Sequence, residues 1–297
     1  MAAIGLSILA AFGFASSAIL SRQGMQAIFP LPGVMVSLLF SFLLASAMVL
    51  IFAFSDISGI PQVAVLWILA LGVMNFLGGR SQNFLSVNLI GASRASLFVS
   101  SQAPFAAIFA ITITGERPHF VVLVGTVVVV LGLTAALGNS IRDGISDNRG
   151  VLIGLGLALV AAASYGGTNV IAKELTEEYG SPLMVSAFGL FFGIILLSPL
   201  AGIKTVREIR DSRGSPAFAV SAGLSGLAAA IGVGALYFAL QRADVTVVSP
   251  IVSTNPIVTL VLAQIFISRM ENLTKWLFIG VGITVAGVIV VTVGSTL

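Results

Sequence analysis

Apolar residues run along this chain in blocks of about twenty, separated by short segments rich in polar, Gly and Pro residues. Stretches such as Val121 to Leu131 are apolar almost throughout. They lack the period of two that the strands of a membrane barrel require, and a helix apolar on every side is one that lies in lipid. Because a helix rises about 1.5 Å per residue, a hydrocarbon core of ~30 Å needs about 20 such residues. Ten stretches meet the requirement, at residues 2–22, 31–54, 62–86, 91–113, 118–138, 150–173, 181–201, 216–240, 244–267 and 273–295. The segments Phe29 to Gly33, Ser55 to Gly59, Asn139 to Gly144 and Lys204 to Arg213 are among the breaks. The expected fold is an all-α integral membrane protein with ten transmembrane helices. The first stretch, Ala2 to Ala15 followed by Ser16, Ser17 and Ala18, imitates a secretory signal but lacks its basic leader. It reads as a retained span.

The second five spans repeat the first five. Phe14 and Arg22 match Tyr165 and Lys173, each pair 151 residues apart, and Pro32 matches Pro182 at 150. Ser100 to Pro104 matches Val252 to Pro256 at 152, and Glu116, Gly125 and Gly132 match Glu271, Gly280 and Gly287 at 155. Residues 1–140 and 141–297 are therefore expected to form two five-helix units. An odd number of crossings per unit puts the two in opposite orientations, and such inverted repeats are characteristic of alternating-access transporters. The remaining glycines, with Gly150, Gly154, Gly156 and Gly282 as examples, suit close helix packing in lipid. None has the strand-loop-helix setting of a dinucleotide loop.

Composition sharpens this picture. Lys, Arg, Asp and Glu make up 8% of the 297 residues and apolar types 58%, whereas soluble proteins carry about 25% charged residues. A soluble enzyme and a disordered chain are both excluded. The pI near 9.7 rests on three excess charges and does not point to nucleic acid. With no Cys and one His, His119, no metal site, thiolate chemistry or cofactor is expected. Paired acids and an activated nucleophile are likewise missing, so catalysis is not expected. The expected partners are a small-molecule substrate and membrane lipid, with homodimerisation an open question.

The ten spans, the repeat, Gly79-Arg80, the segment Ile90-Gly-Ala-Ser-Arg-Ala95, and the interval from Pro104 to Gly115-Glu116 followed by Gly125 resemble the EamA-type family of the drug/metabolite transporter superfamily. The resemblance covers nearly the whole chain. It implies a permease of the cytoplasmic membrane, often an exporter of amino acids or other small metabolites. The second half departs from the family pattern, with Ser268-Arg269-Met270-Glu271 where a Gly-Glu pair is usual.

Polar groups in hydrocarbon are costly unless they face other helices or a wet cavity, and here they cluster. Ser100, Ser101 and Gln102 precede Pro104, and Ser253, Thr254 and Asn255 precede Pro256. Each proline removes a backbone donor and is expected to break its helix, freeing carbonyls beside those side chains. The plainer alternative is a kink whose hydroxyls bond back to their own helix. Tyr165, Thr168 and Asn169 share a helical face at spacings of three and four, and Ser17, Asn75, Asn83 and Tyr237 add polar groups from other spans. Any one of these also suits helix-to-helix bonding, so the group as a whole carries the expectation of a binding cavity. Ser37 and Ser46 lie outside these clusters and serve as controls. Arg80 and Arg94 are expected near one membrane face, snorkelling to water or meeting an anionic substrate group. Glu116 and Glu271 are expected to pair with Arg117 and Lys275 or to cap helices. No carboxylate lies at a span centre, so a midplane proton relay is not expected and the substrate reads as neutral or zwitterionic, not a hydrophobic cation.

Orientation divides the two lines of reasoning. Ten spans put both termini on one side, and of the 14 Lys and Arg only Arg117, Lys173 and Arg242 fall on that side. The excess of positive charge marks the cytoplasmic face, which places the termini outside. The family resemblance implies termini in the cytoplasm. A channel, recognisable by flux that does not saturate, and a solute-binding membrane protein that does not transport are the competing readings.

Overall fold

The computed structural model describes residues 2–26, 28–54, 61–137, 149–178, 181–211, 216–267 and 275–294. Among these, all regular structure is helical: α1 (Ala2–Gly24), α2 (Pro30–Phe52), α3 (Gln62–Gly72), α4 (Ser81–Ile90), α5 (Ala92–Val99), α6 (Gln102–Phe109), α7 (Phe120–Leu137), α8 (Arg149–Glu178), α9 (Pro182–Leu197), α10 (Ile203–Asp211), α11 (Pro216–Leu240), α12 (Val245–Val252), α13 (Asn255–Phe266) and α14 (Lys275–Gly294). Wider π turns continue α3 into α4 (Val73–Arg80), extend α6 (Ala110–Thr114) and join α9 to α10 (Ser198–Gly202). Eight of the resulting helical segments are long and apolar enough to cross a membrane. The expected spans at 118–138 and 273–295 fall on α7 and α14, whose apolar cores Phe120–Gly132 and Phe278–Val291 are shorter. Arg142, Arg213, Arg269, Glu271 and the segments Ser55 to Gly59 and Asn139 to Gly144 lie outside the described residues.

Local chemistry explains the breaks. Pro30 and Pro182 sit in the first turn of α2 and α9, where the missing N–H costs nothing and the fixed φ suits a helix start. Large apolar side chains such as Phe52, Leu66, Ile113 and Phe278 remain exposed. In a chain with so few charges this surface is the one that meets lipid. The expected packing glycines divide in two. Gly154 abuts Leu89 and Ile90 and Gly287 abuts Val129, while Gly156 and Gly282 face open space.

Two of the crossings are interrupted at their polar clusters. α5 ends at Val99 and α6 begins at Gln102, and α12 ends at Val252 with α13 beginning at Asn255. Pro104 and Pro256 thus stand in the first turn of a new helix and do not bend a continuous one. The carbonyl of Ser100, which Pro104 cannot serve, accepts the N–H of Ala103 at 3.3 Å. The two breaks face each other, with the Ser100 hydroxyl 3.4 Å from Asn255 Oδ1.

The third crossing is rebuilt by its π turn. Asn75 and Arg80, five residues apart, would point to roughly opposite sides of an α-helix at about 100° per residue. The wider turn swings them onto one side. Side chains absorb the carbonyls it loosens: Ser81 Oγ donates to the Phe76 carbonyl (2.8 Å) and Gln82 Nε2 to that of Leu77 (3.2 Å). Gly79 lies directly against the Tyr165 ring, where a Cβ would collide. Such turns occur preferentially at functional sites.

Beyond α6 the chain turns at Gly115, whose φ of 71° is a left-handed conformation that favours glycine. This turn carries Glu116 across to α12. Its Oε1 accepts the Val245 N–H at 2.9 Å and its Oε2 the Thr246 N–H at 3.1 Å. Lys173 Nζ lies 3.9 Å from the same carboxylate, 2.9 Å from Asp244 and 3.1 Å from Glu177. Glu116 therefore does cap a helix, but one about 130 residues away in sequence, and its basic neighbour is Lys173, not the expected Arg117.

Candidate functional site

A buried cavity of about 80 Å³ lies where six of the crossings meet. A site needs only ~10–15 Å³ by a comparable measure to admit one water, so this space holds several waters or a compact solute. Ten of the residues expected from the sequence line it: Ser17, Asn75, Arg80, Asn83, Gln102, Tyr165, Thr168, Asn169, Tyr237 and Asn255. They come from α1, the α3–α4 crossing, α6, α8, α11 and α13. Nearly all are buried, Tyr237 to 1% exposure and Asn169 to 2%. Tyr165, Thr168 and Asn169 do act as one helical face.

Much of the lining is held in place by hydrogen bonds across helices. Ser225 Oγ donates to the Ser17 carbonyl (3.0 Å) and lies 2.9 Å from Ser17 Oγ. With the Ser225 proton so used, the Ser17 hydroxyl is the donor of the second bond. Asn169 Nδ2 donates to Ser249 Oγ at 2.9 Å. Arg80 Nη2 donates to Ser37 and Ser41 of α2, and Ser41 in turn donates to the Gly226 carbonyl at 2.6 Å. Asn83 Oδ1 is buried without a partner among the described residues. Unsatisfied groups of this kind are costly and call for an explanation.

Several expectations need correction. Arg80 is not an interfacial anchor. Its crossing continues to Ile90, four residues beyond the expected end, which moves Arg80 inward, where it is 6% exposed. Ser37 is consequently no neutral control, because it holds that guanidinium. Arg94 is half-buried one turn into α5 and does not line the cavity. Ser100, Ser101, Ser253 and Thr254 also stand off it. Ser100, Ser101 and Thr254 bond back to carbonyls of Ser96, Phe98 and Ile251, as the plainer reading of the breaks anticipated. Ser253 Oγ is buried and unpaired among the described residues.

The apolar part of the wall, Phe14, Phe76, Phe84, Val99, Ala229, Val233 and Leu236, was not legible. An apolar side chain facing a cavity and one facing lipid look alike in sequence. Phe14 alone carried a signal, since it occupies the position that matches Tyr165 in the repeat. The result is an apolar enclosure with convergent amides, hydroxyls and one guanidinium, a composition typical of small-molecule sites.

The chain is similar to known proteins in sequence and in fold. An uncharacterized transporter of Clostridium kluyveri (strain ATCC 8527 / DSM 555 / NBRC 12016 / NCIMB 10680 / K1) is 31% identical over 113 residues, 38% of this chain. The chain spans only about a third, 36%, of the length of that relative. A solved crystal structure of a protein superposes with a TM-score of 0.74 over 98% of this chain and 96% of the other, at 16% identity, a likeness of fold alone. The profile of the EamA-like transporter family matches residues 1–138 and again 152–293. The protein is accordingly a multi-pass membrane protein, and it belongs to the EamA-like transporter family.

Proposed function

We propose that this protein is a secondary permease of the cytoplasmic membrane that moves small polar metabolites, amino acids among them, outward by alternating access between two inverted five-helix halves, residues 1–140 and 141–297. One observation carries the reading: a buried, largely apolar cavity with convergent polar groups, built jointly by both halves, with Asn75 and Gln102 from the first and Asn169 and Asn255 from the second.

The packing supports the ten-helix, two-half arrangement. Exchanging the halves exchanges α1 with α8 and α11 with the α3–α4 crossing, and α1 packs on α11 as α8 packs on α3–α4. By the same exchange α13 packs on α1 as α6 packs on α8, and α2 on α11 as α9 on α3. α7 and α14 are each other's counterparts and pack together, with Gly125 and Gly132 of one against Gly287 and Thr284 of the other. The two separate matches to the family profile support the same division. Halves related in this way can exchange which side of the shared cavity is open.

Counterflow in proteoliposomes tests the reading. A saturable exchange of a labelled metabolite is expected, weakened about 5- to 100-fold in KM by Asn169→Ala or Gln102→Ala, the effect of losing one buried hydrogen bond. Ser46→Ala on α2, away from the cavity, serves as the control. Flux that never saturates would assign a channel instead, and selective uptake of quaternary ammonium dyes would replace the polar-metabolite substrate. Solute binding without exchange would make the protein a receptor.

A further inference from the structure

Among the described residues Arg80 is the one charged residue lining the cavity, and its environment is incomplete. It is 6% exposed, and among the described residues no Asp or Glu comes within ion-pair distance of it. None lines the cavity either. Among the described residues its hydrogen bonds use a single nitrogen, Nη2, toward the neutral hydroxyls of Ser37 and Ser41. A guanidinium has five donors in a planar fork, so the rest of the fork remains for the cavity. Two hydroxyls also do not repay the desolvation of a buried cation, a cost normally met by a charged partner. A purely structural tie between α2 and the third crossing would need only a neutral amide. What the site lacks is an anion.

Resting on the permease reading above, we propose that Arg80 anchors the carboxylate of the transported solute, so that the cavity takes small monocarboxylic acids, amino acids included, and rejects uncharged and cationic analogues. The planar fork matches a carboxylate in a paired geometry that an ammonium does not offer. Ser37 and Ser41 hold one arm of the fork, Ser41 itself being fixed by the Gly226 carbonyl on α11, and Asn75, Asn83 and Tyr165 line the same cavity. The small volume favours compact acids. An amino group on the solute finds amide oxygens and the faces of Tyr165 and Phe14, with no carboxylate to make it obligatory. Amine-free acids such as lactate therefore fit the same chemistry.

The test needs no variant at first. The purified wild-type protein is incubated with glycine, L-alanine, L-serine, lactate and pyruvate, with the corresponding carboxamides, and with polyols. Thermal stabilisation and proteoliposome counterflow are then read for each. Acids are expected to stabilise and exchange, and their carboxamides to be at least about 10-fold weaker, the usual effect of one charged hydrogen-bonding pair. Arg80→Gln should reduce the response to acids about 10- to 100-fold, with Arg80→Lys recovering part of it because the charge returns without the fork. Carboxamides or polyols performing as well as acids in the wild type would overturn the proposal, and so would acids that respond equally in Arg80→Gln. The wild-type comparison decides the matter where Arg80→Gln does not fold. Saturable exchange of an uncharged solute would remove the carboxylate anchor and leave the permease standing, whereas absence of saturable exchange for every solute fails the permease reading itself.

Discussion

Removing the carboxylate of Glu116 strips the cap from α12. Both oxygens are engaged, at 2.9 and 3.1 Å from successive backbone N–H groups, in a side chain only 7% exposed. Hydrogen bonds to a charged group contribute about 1.5–3 kcal/mol each, and the charge at a helix N-terminus adds about 0.3–1 kcal/mol. Local rearrangement and water return part of this, so Glu116→Ala should cost about 2–5 kcal/mol. Glu116→Gln keeps one acceptor oxygen and should cost about half as much. Lys173 is not orphaned in either variant, because Asp244 and Glu177 still hold it at 2.9 and 3.1 Å. Soluble proteins of 150–250 residues shift by about 2–4 °C per kcal/mol. On that scale the unfolding midpoint in detergent, followed by tryptophan fluorescence, should fall by about 4–20 °C for Ala and less for Gln. Glu116→Ala unfolding at the wild-type temperature would refute the cap, since nothing else among the described residues serves those two N–H groups.

Two further outcomes follow from other parts of the molecule. Gly79→Ala places a methyl group against the Tyr165 ring, so Tyr165 must move into the cavity and exchange should be impaired more than stability. Unchanged KM and rate in a folded Gly79→Ala protein would sink this account of the contact. The basic excess along α10 predicts a cytoplasmic position for that helix, so a cysteine at Arg207→Cys, exposed on α10 in a chain with no native thiol, should resist impermeant thiol reagents added to intact cells. Labelling from outside would reverse the orientation and place both termini in the cytoplasm.

Helices in lipid were legible in the sequence because the signal is local. Runs of about 20 apolar residues with scarcely any charge allow no other state for the backbone, since a bilayer satisfies none of its polar groups. The proposed repeat was suggested for a related reason: matched positions such as Pro104 and Pro256, or Arg22 and Lys173, can be found by spacing alone. Spacing also pointed to residues that line one cavity wherever an ordinary helix carried them, as for Tyr165, Thr168 and Asn169 on α8. Which polar residues share one cavity was decided elsewhere. Asn75 and Arg80 converge only because a π turn widens the third crossing, and that turn packs Gly79 against Tyr165, residues 86 positions apart, where no larger side chain would fit. Glu116 found its partners on α12 only because Gly115 turns the chain and the packing brings that helix end alongside. Ser101 and Thr254 looked equivalent to Gln102 and Asn255 until the break in each helix turned the first pair back to its own backbone and the second toward the cavity. Length and apolarity determine that this chain crosses a membrane, because each is a property of a single segment. The side to which a buried amide or guanidinium points is a property of two segments packed together, and only the tertiary structure holds both.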